Sequence, residues 1–278
     1  MAKIALVTGV AAKHSMGRAC AMQLAKEGCN VVLVDKFMVP PTIREEDKDW
    51  QGMHQIIKDI EALGQKAVAV EADLGSTADC LKVVDEAVAA FGDIDYFVNC
   101  AGYRGPSASV LEYTQEMFET VMDINLTGVF ALTQAVAKVM VKNPAGKKIV
   151  LFASQAGIEN MPRGIAYSTS KHAVIGLMRC FAYELAEYGI NVNAISPMAF
   201  DTNFRDSAKV QQAQEQGISV AESMKKDVAL GKQGGPIIPI GRHGTPQDAA
   251  EMVSFLCSEK SSYVTAQNIL MNGGHRSM

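Results

Sequence analysis

Tyr167 and Lys171 stand four residues apart in the run Ala166-Tyr-Ser-Thr-Ser-Lys171, and Ser154 lies thirteen residues before the tyrosine. Helix residues at i and i+4 share a face, so this spacing sets an ammonium beside a phenol. A free phenol titrates near ~10 and accepts protons poorly at neutral pH. Each unit of lowering requires about 1.4 kcal/mol of preference for the phenolate. One cation about 4 Å away contributes on the order of 1–4 kcal/mol. Such a pair has the makings of a general acid–base, with a positively charged ring nearby as a further aid. On its own it is weak evidence. Tyr-x-x-x-Lys arises by chance in about every second chain of this size and composition, and its other reading is a solvated helix face.

The elements that must position the pair follow from the hydrophobic pattern. Short apolar, β-branched runs at 4–7, 31–34, 67–70, 94–98, 148–152, 192–195 and 269–271 suit strands buried on both faces. Helix-period segments lie between them, near 17–28, 51–63, 77–91, 115–140 (with a break allowed), 166–188 and 246–257. This alternation predicts right-handed βαβ units in an α/β fold, a doubly wound (Rossmann) seven-stranded parallel sheet with helices on both faces. No linker divides the chain, so 1–278 reads as one dinucleotide-binding and catalytic domain. Two stretches break the alternation: an insertion at 37–50 and a segment at about 200–235. The second follows the sixth strand. Ligands of open α/β sheets bind beyond the strands' carboxyl ends, which makes this segment a substrate lid; its other reading is a surface excursion.

Composition excludes several classes. The net charge is −4 and no long like-charged block suggests a nucleic-acid partner. Six cysteines lie scattered without Cys-x-x-Cys spacing or a His pair, so no metal is expected. The first strand begins almost at once and no apolar run approaches the roughly 20 residues of a membrane span, so the expectation is a cytoplasmic protein without a membrane partner.

Further motifs sit where that fold puts its ligand. The first strand runs into Thr8-Gly9-Val-Ala-Ala-Lys-His-Ser15-Met16-Gly17. Small residues there let the backbone approach a pyrophosphate at a helix N-terminus. The loop lacks a clean Gly-x-Gly-x-x-Gly, and alone it supports only a turn before a helix. Asp35 closes the second strand, where a carboxylate accepts the adenosine ribose hydroxyls and repels a 2′-phosphate; this favours NAD over NADP. Lys13 argues the other way, and Asp35 has the rival reading of a polar strand terminator. Asp73-Leu74 ends the third strand, and Asn99-Cys-Ala101-Gly102 the fourth. Asn125, an amide in an apolar helical stretch, needs partners, structural or catalytic.

Together these residues resemble the short-chain dehydrogenase/reductase family, over nearly the whole chain from Thr8-Gly9 to Asn272-Gly273-Gly274. Asn99-Cys-Ala-Gly resembles the family's Asn-Asn-Ala-Gly, and Ser154, Tyr167, Lys171 and Asn125 match its catalytic tetrad. The sequence departs from the pattern in a glycine loop two residues longer, with Ser15 in place of the middle glycine. It also has Pro197-Met198 in place of Pro-Gly after the sixth strand. The resemblance implies that Tyr167 exchanges a proton with the alcohol or ketone, Ser154 binds the reacting oxygen, Lys171 tunes Tyr167 and reaches the nicotinamide ribose, and Asn125 positions a relay water. Cofactor contacts are expected from Gly9, Ser15, Met16, Gly17, Asp35, Asp73, Leu74, Asn99, Ala101, Gly102, Tyr167, Lys171, Pro197 and Thr202. Tyr103, Gln155, Met161, Met198, Phe200 and Phe204 are the substrate-pocket candidates. Mainly apolar, with no conspicuous basic cluster, they favour a secondary alcohol or ketone on an alicyclic or steroid-like body. A 3-oxoacyl-thioester reductase is the alternative enzyme, and a non-catalytic NAD-binding sensor or scaffold the alternative of another class. The family also implies a homodimer or homotetramer through the helices at 115–140 and 166–188.

Overall fold

The computed structural model describes residues 2–41, 44–220, 222–223 and 238–275. Seven strands form one sheet: β1 (Ile4–Thr8), β2 (Asn30–Asp35), β3 (Ala67–Glu71), β4 (Tyr96–Asn99), β5 (Lys148–Phe152), β6 (Asn191–Pro197) and β7 (Asn268–Met271). All pairs are parallel and the order is β3-β2-β1-β4-β5-β6-β7. The chain winds outward from β1 in one direction and then, from β4, in the other. A crevice therefore opens beyond the carboxyl ends of β1 and β4, where the two windings part.

Between the strands run α1 (Met16–Lys26), α2 (Met53–Ala62), α3 (Thr77–Phe91), α4 (Gln115–Met122), α5 (Gly128–Met140), α6 (Ile165–Leu185), α7 (Asp206–Gln216) and α8 (Pro246–Cys257). Strand residues alternate between two cores. Leu6, Val32, Phe97, Ile149 and Leu151 meet α3, α5 and α6 on one face. Val7, Val31, Leu33, Val98 and Val150 meet α1, α2 and α8 on the other. Burial on both faces explains why the strands read as unbroken apolar runs.

The helix expected over 115–140 is continuous, and the break is a π-helical turn, Asp123–Thr127, between α4 and α5. By length and composition Gln115–Met140 alone, among the described residues, passes as a membrane span; half of its apolar window is buried inside the protein. Gly128 follows the turn because a Cβ there would stand 1.7 Å from the Leu74 carbonyl oxygen. The fourth strand begins at Tyr96, two residues later than its apolar run, since Asp95 turns its carboxylate to the Ile4 amide and to Lys147. Of the lid segment, 206–216 forms α7; the rest of the helix expected to reach 230, beyond 220 and save 222–223, lies outside the described residues.

Candidate active site

The carboxyl edge of the sheet delivers the candidate residues in sequence order. Thr8 ends β1, and its Oγ1 donates to Asn99 Oδ1 (2.9 Å) while accepting from the Ala101 amide (3.0 Å). This joins the two loops flanking the crevice. Gly9 takes φ +70°, and a Cβ there would meet the Ala101 backbone at 2.8 Å. Gly17 packs the first turn of α1 on the strand, where a Cβ would lie 2.3 Å from the Gly9 carbonyl oxygen. Ser15, in the place of the missing glycine, caps α1: its Oγ accepts from the Arg18 amide (3.0 Å) and donates to the Val10 carbonyl (3.2 Å). Met16 opens the helix and faces the cavity described below.

Asp35 lies beside this loop, its Oδ2 accepting from the Ala11 amide (2.8 Å) and its Oδ1 from the Lys36 amide (2.8 Å). Burial raises its pKa, and the backbone hydrogen bonds oppose that rise. Asp73 takes a bond from Lys36 Nζ at 2.6 Å, which holds its carboxyl below the usual range against a smaller cost of burial. Leu74 is buried under the turn.

The two extra loop residues have their own support. His14 Nε2 lies 3.1 Å and Lys13 Nζ 3.2 Å from Asp47 Oδ1, a carboxylate buried in the insertion. Although burial raises its pKa, hydrogen bonds from Lys13, His14 and Asn203 and the His14 charge outweigh that and lower it. The His14 amide also donates to Asn203 Oδ1 (2.8 Å). Arg44 forms a fork with Asp206 through Nε and Nη2 (both 3.0 Å), and Nη2 donates to the Thr202 carbonyl (3.0 Å). Trp50 Nε1 donates to the Ala11 carbonyl (2.7 Å), and the Arg18 guanidinium lies 4.9 Å over its ring. The insertion at 37–50 thus ties the lengthened glycine loop to residues 202–206 beyond β6.

Ser154, Tyr167 and Lys171 come together beyond β5. The Tyr167 phenol and the Ser154 hydroxyl border the same cavity. Ser154 Oγ accepts from the Ala156 amide (3.1 Å), and its own proton remains available for donation. Burial raises the phenol's pKa, and the nearby Ser154 hydroxyl and the charge of Arg104 only partly offset that rise. The ammonium of Lys171 lies 5.7 Å from the Tyr167 ring centroid and donates to the Phe152 carbonyl (2.7 Å). Burial brings its pKa down to about 8.

Asn125 sits in the π-helical turn and is wholly buried. Its Oδ1 accepts from the Tyr103 amide (2.7 Å), and its Nδ2 donates to the Tyr103 carbonyl (2.7 Å) and to Ser170 Oγ (3.1 Å). Widened turns of this kind recur at functional sites. A Cβ on Gly102 would stand 3.4 Å from both Asn125 Oδ1 and Lys171 Nζ, in ordinary contact with the two side chains.

Ser154, Tyr167 and Lys171 line one cavity of about 550 Å³. Gln155, Met161, Met198, Phe200 and Phe204 all border it, as do Gly102, Pro197 and Thr202. Phe204 packs on Tyr167 with ring centroids 5.9 Å apart. Tyr103 is half-exposed and contributes its backbone to Asn125 instead of bordering the cavity. The sequence reading omitted Arg104, Glu159 and His275, which do border it. The position of Arg104, just past the fourth strand's end, was the available signal. Met198 replaces the usual glycine without a left-handed backbone, because the positive φ falls one residue later, at Ala199 (+54°).

The site's residues fit a nicotinamide dinucleotide: a backbone cradle held open by glycines, a carboxylate at the end of β2, and an acid–base pair beside an apolar cavity. A family model described as enoyl-(acyl carrier protein) reductase matches residues 9–276. The L-2,3-butanediol dehydrogenase of Corynebacterium glutamicum is 34% identical over 99% of this chain and 98% of its own. A levodione reductase structure superposes with a TM-score of 0.83 at 29% identity, covering 98% of this chain and 96% of that one. The carveol dehydrogenase of Mycobacterium avium, in complex with NAD, also reaches 0.83, at 26% identity over 98% and 96%. With fold, motif order and relatives in agreement across the chain, this protein belongs to the short-chain dehydrogenase/reductase family and is an oxidoreductase of secondary alcohols and ketones.

Proposed function

We propose that the chain is an NAD-preferring dehydrogenase/reductase whose secondary alcohol or ketone sits on an alicyclic or steroid-like lipophilic body. The observation that carries this reading is that Ser154, Tyr167 and Lys171 line one cavity together with Met161, Pro162, Met198, Phe200 and Phe204.

NAD, when bound, supplies the hydride acceptor for alcohol oxidation. Tyr167 takes the hydroxyl proton as the carbonyl forms, and returns it in reduction. Ser154 donates to the substrate oxygen, since Ala156 already occupies an acceptor site on its Oγ. Lys171 favours the phenolate through its charge and would hold the nicotinamide ribose. Its pKa near 8 lets it pass a proton at mildly alkaline pH. Asn125, clamped on Tyr103, positions a water beside Lys171. Gly9, Ser15, Met16, Gly17, Ala101 and Gly102 would line the pyrophosphate and ring path, Asp35 the adenosine ribose, Asp73 and Leu74 the adenine, and Pro197 and Thr202 the carboxamide. Asp35 supports NAD because a 2′-phosphate would face a half-buried carboxylate.

The single domain carries a lid at about 200–235 whose root, Thr202–Asp206, is held by Arg44 of the insertion. Phe130, Tyr183 and Tyr188 leave aromatic surface exposed on or just beyond α5 and α6, which supports a homodimer or homotetramer through those helices. The setting we assign is the cytoplasm. The test is NADH formation on a panel of cyclic and steroidal alcohols, with Tyr167→Phe as control. Turnover that survives this substitution at near the wild-type rate overturns the mechanism. NAD binding without turnover of any alcohol selects the sensor reading.

A further inference from the structure

One carboxylate stands in the wall of the substrate cavity and has no part in hydride transfer. Glu159 follows the short turn after Ser154, and its amide donates to the Gln155 carbonyl (3.0 Å), which sets it one turn beyond the serine. It borders the same space as Met161, Met198 and Phe204. Its Oε1 accepts from Gln155 Nε2 (2.8 Å). Its Oε2 lies 3.6 Å from His275 Nε2, too far for a hydrogen bond, and among the described residues no other group donates to it. Each of the two side chains is only 22% exposed.

Both sides of that gap are held. Asn272, directly after β7, closes a turn over two glycines: its Oδ1 accepts from the Gly274 amide (3.1 Å), its carbonyl from the His275 amide (3.1 Å), and its Nδ2 donates to the His275 carbonyl (2.9 Å). The same Nδ2 reaches Gln155 Oε1 (3.4 Å), on the side chain whose Nε2 holds Glu159. The loop after β5 and the turn after β7 thus present a carboxylate and an imidazole to the cavity, joined through one glutamine. A carboxylate only accepts hydrogen bonds, whereas a ring nitrogen donates or accepts according to its protonation. Set side by side, they match a group that both donates and accepts, which a hydroxyl does. A carboxylate oxygen among apolar side chains is costly without a donor, and a hydroxyl supplies it a charge-assisted bond.

Resting on the dehydrogenase reading above, we propose that Glu159 is a specificity-determining residue, and that the preferred substrate is a cyclic diol or hydroxy ketone. Its reacting carbinol or carbonyl meets Ser154 and Tyr167, its ring lies against Met198 and Phe204, and its second hydroxyl donates to Glu159 Oε2 beside His275.

The full-length protein with NAD is assayed on the cyclohexanediols and on methylcyclohexanols of the same regio- and stereochemistry, in which a methyl group fills the place of the second hydroxyl. Wild type is compared with Glu159→Leu and Glu159→Gln. In E159Q the amide oxygen still accepts from Gln155, while the group facing His275 loses its charge. For the best isomer, the expected diol-over-methyl ratio in kcat/KM is about tenfold or more for wild type, one or below for E159L, and in between for E159Q, with the change carried mainly by KM. Any disturbance of Gln155 or Ser154 slows both substrates alike and cancels in the ratio. Turnover of diol and methyl analogue without preference, or a preference that the variants leave intact, overturns the role of Glu159 while leaving the dehydrogenase reading in place. Should E159L fail to fold, an E159Q ratio equal to that of wild type overturns it by itself. Aminocyclohexanols turned over in preference to the diols would assign a cation to Glu159 and overturn the second hydroxyl. Failure of every cyclic alcohol, with NAD still bound, overturns both readings together.

Discussion

The two ends of the crevice are built by opposite means. At the end of Asp35, position is held by charge: Asp47 gathers Lys13, His14 and Asn203, and Arg44 grips Asp206. At the end of Tyr167, position is held by burial, and the few polar groups have fixed neutral partners: Lys171 the Phe152 carbonyl, Asn125 the Tyr103 backbone and the Ser170 hydroxyl. The difference matches the tasks. A pyrophosphate-binding loop two residues longer has more backbone to restrain, and charge-assisted bonds restrain it without filling it. An acid–base pair needs a dry setting, where each interaction is stronger and each protonation state more sensitive to its neighbours.

The sharpest break separates chemistry from binding. In Tyr167→Phe the ring and its packing on Phe204 remain, while the proton acceptor is gone. Turnover is expected to fall by about 10²-fold or more with NAD affinity kept within a few-fold. Steady-state kinetics and a cofactor titration measure the two. A loss shared equally between them would mean that Tyr167 serves the cofactor end.

Lys171→Met tests the cost of the dry end. An amine whose pKa stands at about 8 in the fold, against about 10.4 in the unfolded chain, costs stability at pH 7, where both states are charged. That cost fades as pH rises from 8 to 10.5, where the folded state alone is neutral. The expected outcome is an inactive variant whose stability relative to wild type worsens by on the order of 3 kcal/mol between pH 7 and pH 10.5. Loss of the bond to the Phe152 carbonyl offsets the curve without tilting it. A pH-independent gap between the two urea midpoints would place the ammonium in water.

Asp47→Asn tests the charged end. Removing one buried partner leaves Lys13 without its counter-charge and weakens the contact with His14; both are more than a third exposed, so solvent screens the loss to about 1–2 kcal/mol. The wild-type carboxyl titrates below its unfolded value, so its contribution is present at neutral pH and vanishes as pH falls through the folded pKa. The stability gap between wild type and D47N should close below about pH 4. NAD affinity should fall more than the turnover of saturated enzyme, the reverse of Tyr167→Phe.

The two ends were not equally legible in the sequence. The sheet, its order of elements and the approach of Ser154, Tyr167 and Lys171 follow from local patterns: apolar runs of strand length and an i, i+4 spacing on one helix. Nothing local marks Asp47 as a hub. Its partners at 13, 14 and 203 lie up to 156 residues away, and the run Arg44-Glu-Glu-Asp-Lys-Asp49 reads as a solvated loop because four of its six charges are just that. Arg104 was passed over for a related reason. A single arginine in a loop has no period, and only the closing of the fold brings it to the wall of the cavity. Ser15 shows the converse: a departure from a glycine pattern looks like a defect until the helix it caps is in view.

Asp35 is where the two ends bear on one question, since its carboxylate both braces the glycine loop and faces the ribose path. Asp35→Ala removes both functions and should weaken NAD by about tenfold, with NADP changed less. Asp35→Asn separates them. The amide oxygen still accepts from the Ala11 amide, so the loop stays braced, but the charge that repels a 2′-phosphate is gone. If Asp35 acts by charge, D35N narrows the NAD-over-NADP ratio nearly as far as D35A does. If it acts as a brace, D35N keeps the wild-type ratio and D35A weakens both cofactors equally. Parallel titrations of the three proteins with both cofactors decide it, because loop bracing cannot distinguish two ligands that differ only by a phosphate it does not touch.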